Sequence, residues 1–412
     1  MANKLPHYYT HLKRLVNFLE KSKIVKGIFF PIRYVRDVIW FSQRTKGSYR
    51  WLAQFFESDD LKNQQDVPFA LPILNPTPIV SMKIPGLWNM NPTVSVTNSE
   101  VRIFTRATSF VFNPRTNSRG HNSLTTTNPI TKCQEDGHHS VVRNALLSGI
   151  LTSSGELVNE EILIPESPPP TFEDVRPFKY KDRDHLIGTW TTQVLVDEEP
   201  VIRQSIAIYS IDKGVFLFIE SPFNLSTEKN WVPIQVVGDK LLVFYSSQPA
   251  RILEINLLTS GIEVIPISSH ASNLNFHGRS QLVKLHNGNF LRVASMRLPL
   301  KDFGLVHFSF FVEHGPNFEE IRISRPFLFQ TPGFEICNGL QFRSQDELIL
   351  TWGCNDKTSY FACVSVEALL EWLNEKELRV INPRSRNWRS IRANLKRLES
   401  VHACECKVTN FS

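Results

Sequence analysis

Acids, bases and amides recur in this sequence just ahead of strongly apolar runs. Glu173-Asp174-Val175-Arg176 precedes one such run, and Lys229-Asn230 stands before Trp231-Val-Pro-Ile. Arg279 lies within Gly278-Arg-Ser-Gln-Leu-Val, while Asn91 and Asn338 open two further segments. Arg106 follows Asn91 by fifteen residues, and Asp356 sits between Asn355 and Lys357 after an apolar stretch. A carboxyl group in such company is a general acid or base. An Arg fork takes phosphate or sugar hydroxyls bidentately. Plainer readings stand beside these. Glu173 and Arg176 also suit an internal ion pair at a strand start, and Asn91, Asn338 and Asp356 suit turns. Lys229 also suits a solvated surface, and Trp231 is either core or a sugar-stacking platform.

What positions these residues is a repeat. From Asn91 to about Val366, short runs of β-branched and aromatic residues alternate with Gly, Pro, Asn and Asp, the texture of an all-β fold. One unit recurs five times: a short polar signature, an apolar strand, a turn and a second apolar strand. The signatures begin at Asn91, Glu173, Lys229, Gly278 and Asn338, spaced 82, 56, 49 and 60 residues apart. A four-stranded propeller blade takes roughly 40–50 residues, so the repeat predicts a five-bladed β-propeller. The long first interval holds a Ser/Thr/Asn/Gly-rich insertion around 113–140. The first strand of each blade lines the central channel, so the five signatures converge at one mouth of it. A polar, mixed-charge pocket is the consequence.

Around the propeller, predicted for 88–366, lie three other regions. Residues 1–66 read as a basic helical extension, with apolar residues at three- and four-residue spacing. Residues 67–87 are a Pro-punctuated connector. Residues 367–412 hold a C-terminal helix and a basic tail. The net charge of +6 is an N-terminal property, because residues 1–62 carry twelve Lys/Arg against five Asp/Glu. That excess is either a solvated or packing face of the helices or a contact with a membrane surface or partner protein. It lacks the aromatic interleaving of a nucleic-acid platform. No apolar stretch reaches the roughly 20 residues of a membrane-spanning helix. Six cysteines and the lack of a leader pattern suit a reduced, cytoplasmic protein. Neither Cys133 with His138 and His139 nor His402 with Cys404 and Cys406 has zinc-site spacing, so no metal and no cofactor are expected.

In order and spacing, the five signatures resemble the β-mannoside phosphorylases and the related β-1,2-mannosyltransferases. They are still more similar to a propeller branch associated with glycosyltransferases. That likeness is carried by Phe172-Glu-Asp-Val-Arg, Glu228-Lys-Asn-Trp-Val-Pro, Ile323-Ser-Arg-Pro-Phe and Trp352-Gly-Cys-Asn-Asp, and it spans residues 88–370. The resemblance implies a five-bladed propeller and an inverting reaction. It puts Asp174 at the general acid and Asn91, Arg106 and Asp356 around the sugar; Glu173 and Arg176, from the same motif as Asp174, are counted as substrate-binding with them, and Arg176 or Arg251 also suits phosphate. Lys229 and Arg279 fall in the segments that contact phosphate. One departure is the stretch Val293-Ala-Ser-Met-Arg, which has no His where the phosphorylases bind phosphate.

Ordinary glycosidases need two carboxyl groups. Where phosphate attacks or leaves, one acid/base and a cationic pocket suffice. The expectation is therefore transfer of a glycosyl, most readily mannosyl, unit between a sugar phosphate or nucleotide sugar and a hydroxyl acceptor. Hydrolysis by Asp174 with Asp356 and a catalytically silent glycan-binding scaffold are the alternatives.

Overall fold

The computed structural model describes residues 73–375, apart from 114–117, 122–142, 168–169, 197–198, 224–227, 248–249, 267–276, 279, 301–303, 325 and 331–332. The N-terminal helical extension, most of the insertion, Arg279 and the basic tail lie outside the described residues.

The first strand, β1 (Thr77–Pro78), belongs to the last blade. Blade 1 is β2 (Trp88–Thr97), β3 (Glu100–Thr108), β6 (Asn144–Leu151) and β7 (Leu157–Ser167). A hairpin of β4 (Phe110–Asn113) and β5 (Ser118–His121) interrupts it. Blade 2 is β8 (Thr171–Tyr180), β9 (Arg183–Val196), β10 (Glu199–Ser210) and β11 (Val215–Ile219). Blade 3 is β12 (Val232–Val237), β13 (Lys240–Ser247), β14 (Ala250–Asn256) and β15 (Ile262–Pro266). In blade 4 the inner strand is split into β16 (His277–Gly278) and β17 (Val283–Lys284), both paired with β18 (Phe290–Leu300). Outside it lie β19 (Gly304–His314) and β20 (Glu320–Ile323). Blade 5 is β21 (Glu335–Phe342), β22 (Glu347–Cys354) and β23 (Thr358–Ser365), completed by β1. The fold is the five-bladed propeller that the repeat predicts, and every signature falls at or just before an inner strand.

Turn chemistry explains the tight returns. Asn98-Ser99 and Lys181-Asp182 have positive φ at both positions, as two-residue hairpin turns require, and Asn, Asp and Gly tolerate that region best. Apolar residues on both faces of each sheet then meet the neighbouring blades, so burial is distributed over five seams. Val94, Ile103 and Phe361 fill the seam between blades 5 and 1, and Phe104, Phe172 and Tyr209 that between 1 and 2. Trp231 and Leu241 lie between 2 and 3, Phe244 and Phe290 between 3 and 4, and Phe311 and Trp352 between 4 and 5. The helix α1 (Val366–Glu375) starts with Ser365 Oγ accepting from Ala368 N and buries Leu369 and Leu373 in the last seam.

The ring is closed by the part of the chain that the sequence reads as a connector. Thr77 and Pro78 pair with Phe361 and Tyr360 of β23, while Val80 exchanges backbone hydrogen bonds with Gly155 and Leu157 of blade 1. Gly155 has φ +92°, and a Cβ there would stand 2.3 Å from the Pro78 carbonyl oxygen. Gly155→Ala is expected to cost about 1–3 kcal/mol in backbone strain alone, more as the closing strand is pushed away. A urea melt checks this; an unchanged midpoint would show that the closure carries no stability.

Candidate functional site

Inner strands of blades 1, 2 and 5 are each irregular at their fourth residue. Register shifts separate Met90 from Thr93, Glu173 from Arg176, and Cys337 from Gly339. The bulges contain Asn91 with Pro92, Asp174 with Val175, and Asn338. Asn91 and Asp174 both adopt φ +50°, which Asn and Asp accept better than other non-glycine residues. Bulges bend a strand and re-aim side chains, here into one end of the channel. Room for them comes from glycines. A Cβ on Gly188 would lie 2.8 Å from the Glu173 carbonyl oxygen, and one on Gly353 would lie 2.7 Å from Asn91 N.

The side chains meet in one network. Asn91 Nδ2 donates to Asp174 Oδ1 at 3.1 Å. Arg106, from β3, sets Nη2 at 3.1 Å from Glu173 Oε2 and Nη1 at 3.9 Å from Asp174 Oδ1, while its Nε donates to Asn144 Oδ1 at 2.7 Å. Arg176 Nη1 donates to the Asp174 carbonyl at 2.9 Å and its Nη2 reaches Asn338 Oδ1 at 3.4 Å. Thr171 Oγ1 donates to Glu173 Oε1. Five of the predicted residues, Asn91, Arg106, Glu173, Asp174 and Arg176, are thus brought together by side chains from two blades. Asn338 joins from a third.

Exposure separates them. The Asp174 side chain is 24% exposed, against 13% for Glu173 and 5% for Arg106. Arg176 is fully buried, and burial pulls its guanidinium down to about 10, opposed by Asp174 and Cys337. Burial likewise pushes the Cys337 thiol well above its ordinary range, which leaves no thiolate nucleophile there at neutral pH.

Asp356 stands at the same end of the channel. It follows β22 in a turn where Asn355 and Asp356 have φ +52° and +54° and Lys357 N donates to the Cys354 carbonyl. Asn355 clasps Phe334 by two hydrogen bonds, and Lys357 Nζ lies 5.0 Å from the Trp88 ring centre. The turn reading of Asp356 therefore holds, and its side chain is buried.

Lys229 is exposed at the start of blade 3, beside Asn230 with φ +61°. Its neighbour Glu228 anchors the loop, taking hydrogen bonds from Ser221 Oγ, Trp231 Nε1 and Tyr245 OH. Burial and Glu228 push the Tyr245 hydroxyl up to about 12. Trp231 is buried in the seam between blades 2 and 3, so it is core and not a stacking platform.

Two residues escaped the sequence reading. Asn144 holds Arg106, and nothing in its local pattern marks it. Gln281 projects from the gap between β16 and β17 and is buried. Its Nε2 donates to the Pro177 carbonyl at 3.2 Å, and its Oε1 accepts from Leu340 N at 3.3 Å and Thr93 Oγ1 at 3.5 Å. One amide thereby ties blade 4 to blades 1, 2 and 5. Among the described residues no three His, Cys, Asp or Glu side chains form a metal-binding group.

No protein-family model and no curated protein sequence matches the chain. Solved structures similar to it include a GDP-Man-dependent mannosyltransferase from Leishmania mexicana, at 12% identity and TM-score 0.48 over 74% of this chain and 92% of that one. A β-1,2-mannobiose phosphorylase from Listeria innocua is similar at 13% identity and TM-score 0.45, over 74% and 98% of the two chains. A mannose phosphorylase from Leishmania mexicana, in complex with a phosphate ion, is similar at 11% identity and TM-score 0.45, over 76% and 94%.

Arg106→Met removes the cation between Glu173 and Asp174 and is expected to cost about 3–5 kcal/mol, as for other broken buried ion pairs. Arg106→Lys should recover part of it, because a point charge cannot serve Asn144 and Glu173 together. Guanidinium melts of the two variants check the order; equal stability of wild type and Arg106→Met would show the pair to be idle.

Proposed function

We propose that this propeller is a carbohydrate-active enzyme that transfers a glycosyl unit, with mannosyl as the first candidate, between a phosphate-bearing donor and a hydroxyl acceptor. One observation carries the reading. Of the network's carboxylates, Asp174 is the most exposed, and it is held by Asn91 on a bulge aimed at the channel mouth. Glu173 is engaged with Arg106 and Thr171, and Asp356 is buried, which suits a single acid/base better than the pair a hydrolase needs.

In transfer, the acceptor hydroxyl oxygen forms the new bond to the anomeric carbon as the bond from that carbon to the donor phosphate oxygen breaks. The hydroxyl proton passes to the Asp174 carboxylate, and the electron pair leaves with the phosphate. Displacement in one step inverts the anomeric centre. Asn91 orients Asp174; Arg106, Glu173, Arg176 and Asp356 shape the sugar pocket. Lys229 and Arg279 supply positive charge for the phosphate. The sugar class rests on the resemblance carried by the sequence signatures.

The test pairs binding with turnover. Purified protein is screened by thermal shift with mannose 1-phosphate, GDP-mannose, orthophosphate and mannobioses. A ligand at a hundred times its Kd stabilises by about 2.7 kcal/mol. Asp174→Asn is expected to keep the fold and the ligand shift while losing roughly 10²–10⁴-fold in turnover. Undiminished turnover in that variant would end the assignment. Saturable oligosaccharide binding without turnover would make the protein a glycan-binding scaffold.

A further inference from the structure

On the seam between blades 3 and 4 a second charged group is buried. Arg292 of β18 is 0% exposed, with His314 at 1% and Phe244 at 2% around it. Its Nε donates to His314 Nε2 at 2.9 Å, and its guanidinium carbon lies 4.8 Å from the Phe244 ring centre. Its Nη1 and Nη2 are both buried and have no hydrogen-bond partner among the described residues. No carboxylate of those residues lies within ion-pair distance of it.

The histidine cannot balance the charge. His314 Nδ1 lies 3.1 Å from the Phe318 carbonyl, so the proton sits on Nδ1 and the Nε2 lone pair faces Arg292. Burial and Arg292 pull its imidazole down to about 3, which keeps it neutral. Burial also lowers the Arg292 guanidinium, opposed by the more distant charge of Glu320, but only to about 10, so it is charged at neutral pH. A desolvated cation with one neutral acceptor and one aromatic face remains under-compensated, and the two parallel N–H groups of a fork are what a bound anion takes.

We propose that Arg292 Nη1 and Nη2 hold a small inorganic anion of halide size, chloride in the cell, as a structural ion of the blade 3–blade 4 seam. Walls only 0–2% exposed shut the fork off from solvent, and a monatomic ion asks less displacement of them than a phosphate or a carboxylate metabolite. The position suits a stabilising ion. Of the five seam clusters named above, this one has the fewest buried apolar residues: Val232, Phe244, Ile252, Leu282 and Phe290.

The experiment melts the full chain in sodium chloride, sodium bromide and sodium gluconate at equal ionic strength. At ten times the Kd, one bound ion shifts the folding equilibrium about 11-fold. The expected result is a midpoint higher by a few degrees in the halides than in gluconate. Arg292→Met fills the same space without charge and should abolish that difference, whatever its own midpoint. Crystals of the unaltered protein grown in bromide should show an anomalous peak within hydrogen-bonding reach of Nη1 and Nη2, so the idea stands even if the variant fails to fold. A halide-independent midpoint, a halide effect that survives in Arg292→Met, a water at the fork without anomalous signal, or Glu320 turned onto the fork would each overturn it.

Discussion

The innermost strand of a propeller blade pairs on one side only, and its other edge faces the axis. Each N–H and C=O on that edge needs a partner in a narrow channel with little water. This chain meets the need with side chains. Arg176 serves the Asp174 carbonyl, Thr351 the Pro92 carbonyl, and Gln281 both the Pro177 carbonyl and Leu340 N. The groups that satisfy the inner backbone are therefore polar and buried, and several of them belong to the site. The site and the inner edges of the blades share one network.

That sharing explains the placement of the irregularities. A regular inner strand would alternate its side chains and keep its free edge straight. A bulge at the fourth residue of β2, β8 and β21 instead turns Asn91, Asp174 and Asn338 toward one mouth. The strain of φ +50° at Asn91 and Asp174 is tolerable because short polar side chains accept it and because Gly188 and Gly353 leave the bulged backbone room. Gln281 links the inner strands of three blades beside them.

Much of this was legible in the residues. The five signatures mark the inner strands because polar strand starts followed by apolar runs repeat at blade length. The convergence of Asn91, Asp174 and Arg176 follows from the architecture. Other features were not legible for a physical reason: their meaning depends on what lies opposite. Thr77–Pro78 is two residues long and becomes a strand only because β23 offers it an edge. Gln281 belongs to a signature, yet its amide matters through three distant backbone and side-chain groups. Trp231 was open between core and platform until Glu228 took its indole N–H within the seam. Arg106 and Arg176 read as cations for a substrate, and the structure commits both to internal acceptors.

That last point divides the labour in the proposed reaction. Guanidinium groups are rigid, planar and best at holding fixed acceptors. In this protein they are spent on Glu173, Asn144, the Asp174 carbonyl and Asn338, which preorganises the acid side of the site before any substrate arrives. The phosphate side has the opposite requirement, since a leaving phosphate gains charge and moves as the bond breaks. A lysine is a point charge on a flexible stem, and Lys229 is exposed on a loop whose base is pinned by Glu228. In the proposed transfer, an Asp174 carboxylate fixed by that network takes the acceptor's proton, and the flexible stem of a lysine suits a counter-charge that follows the departing phosphate.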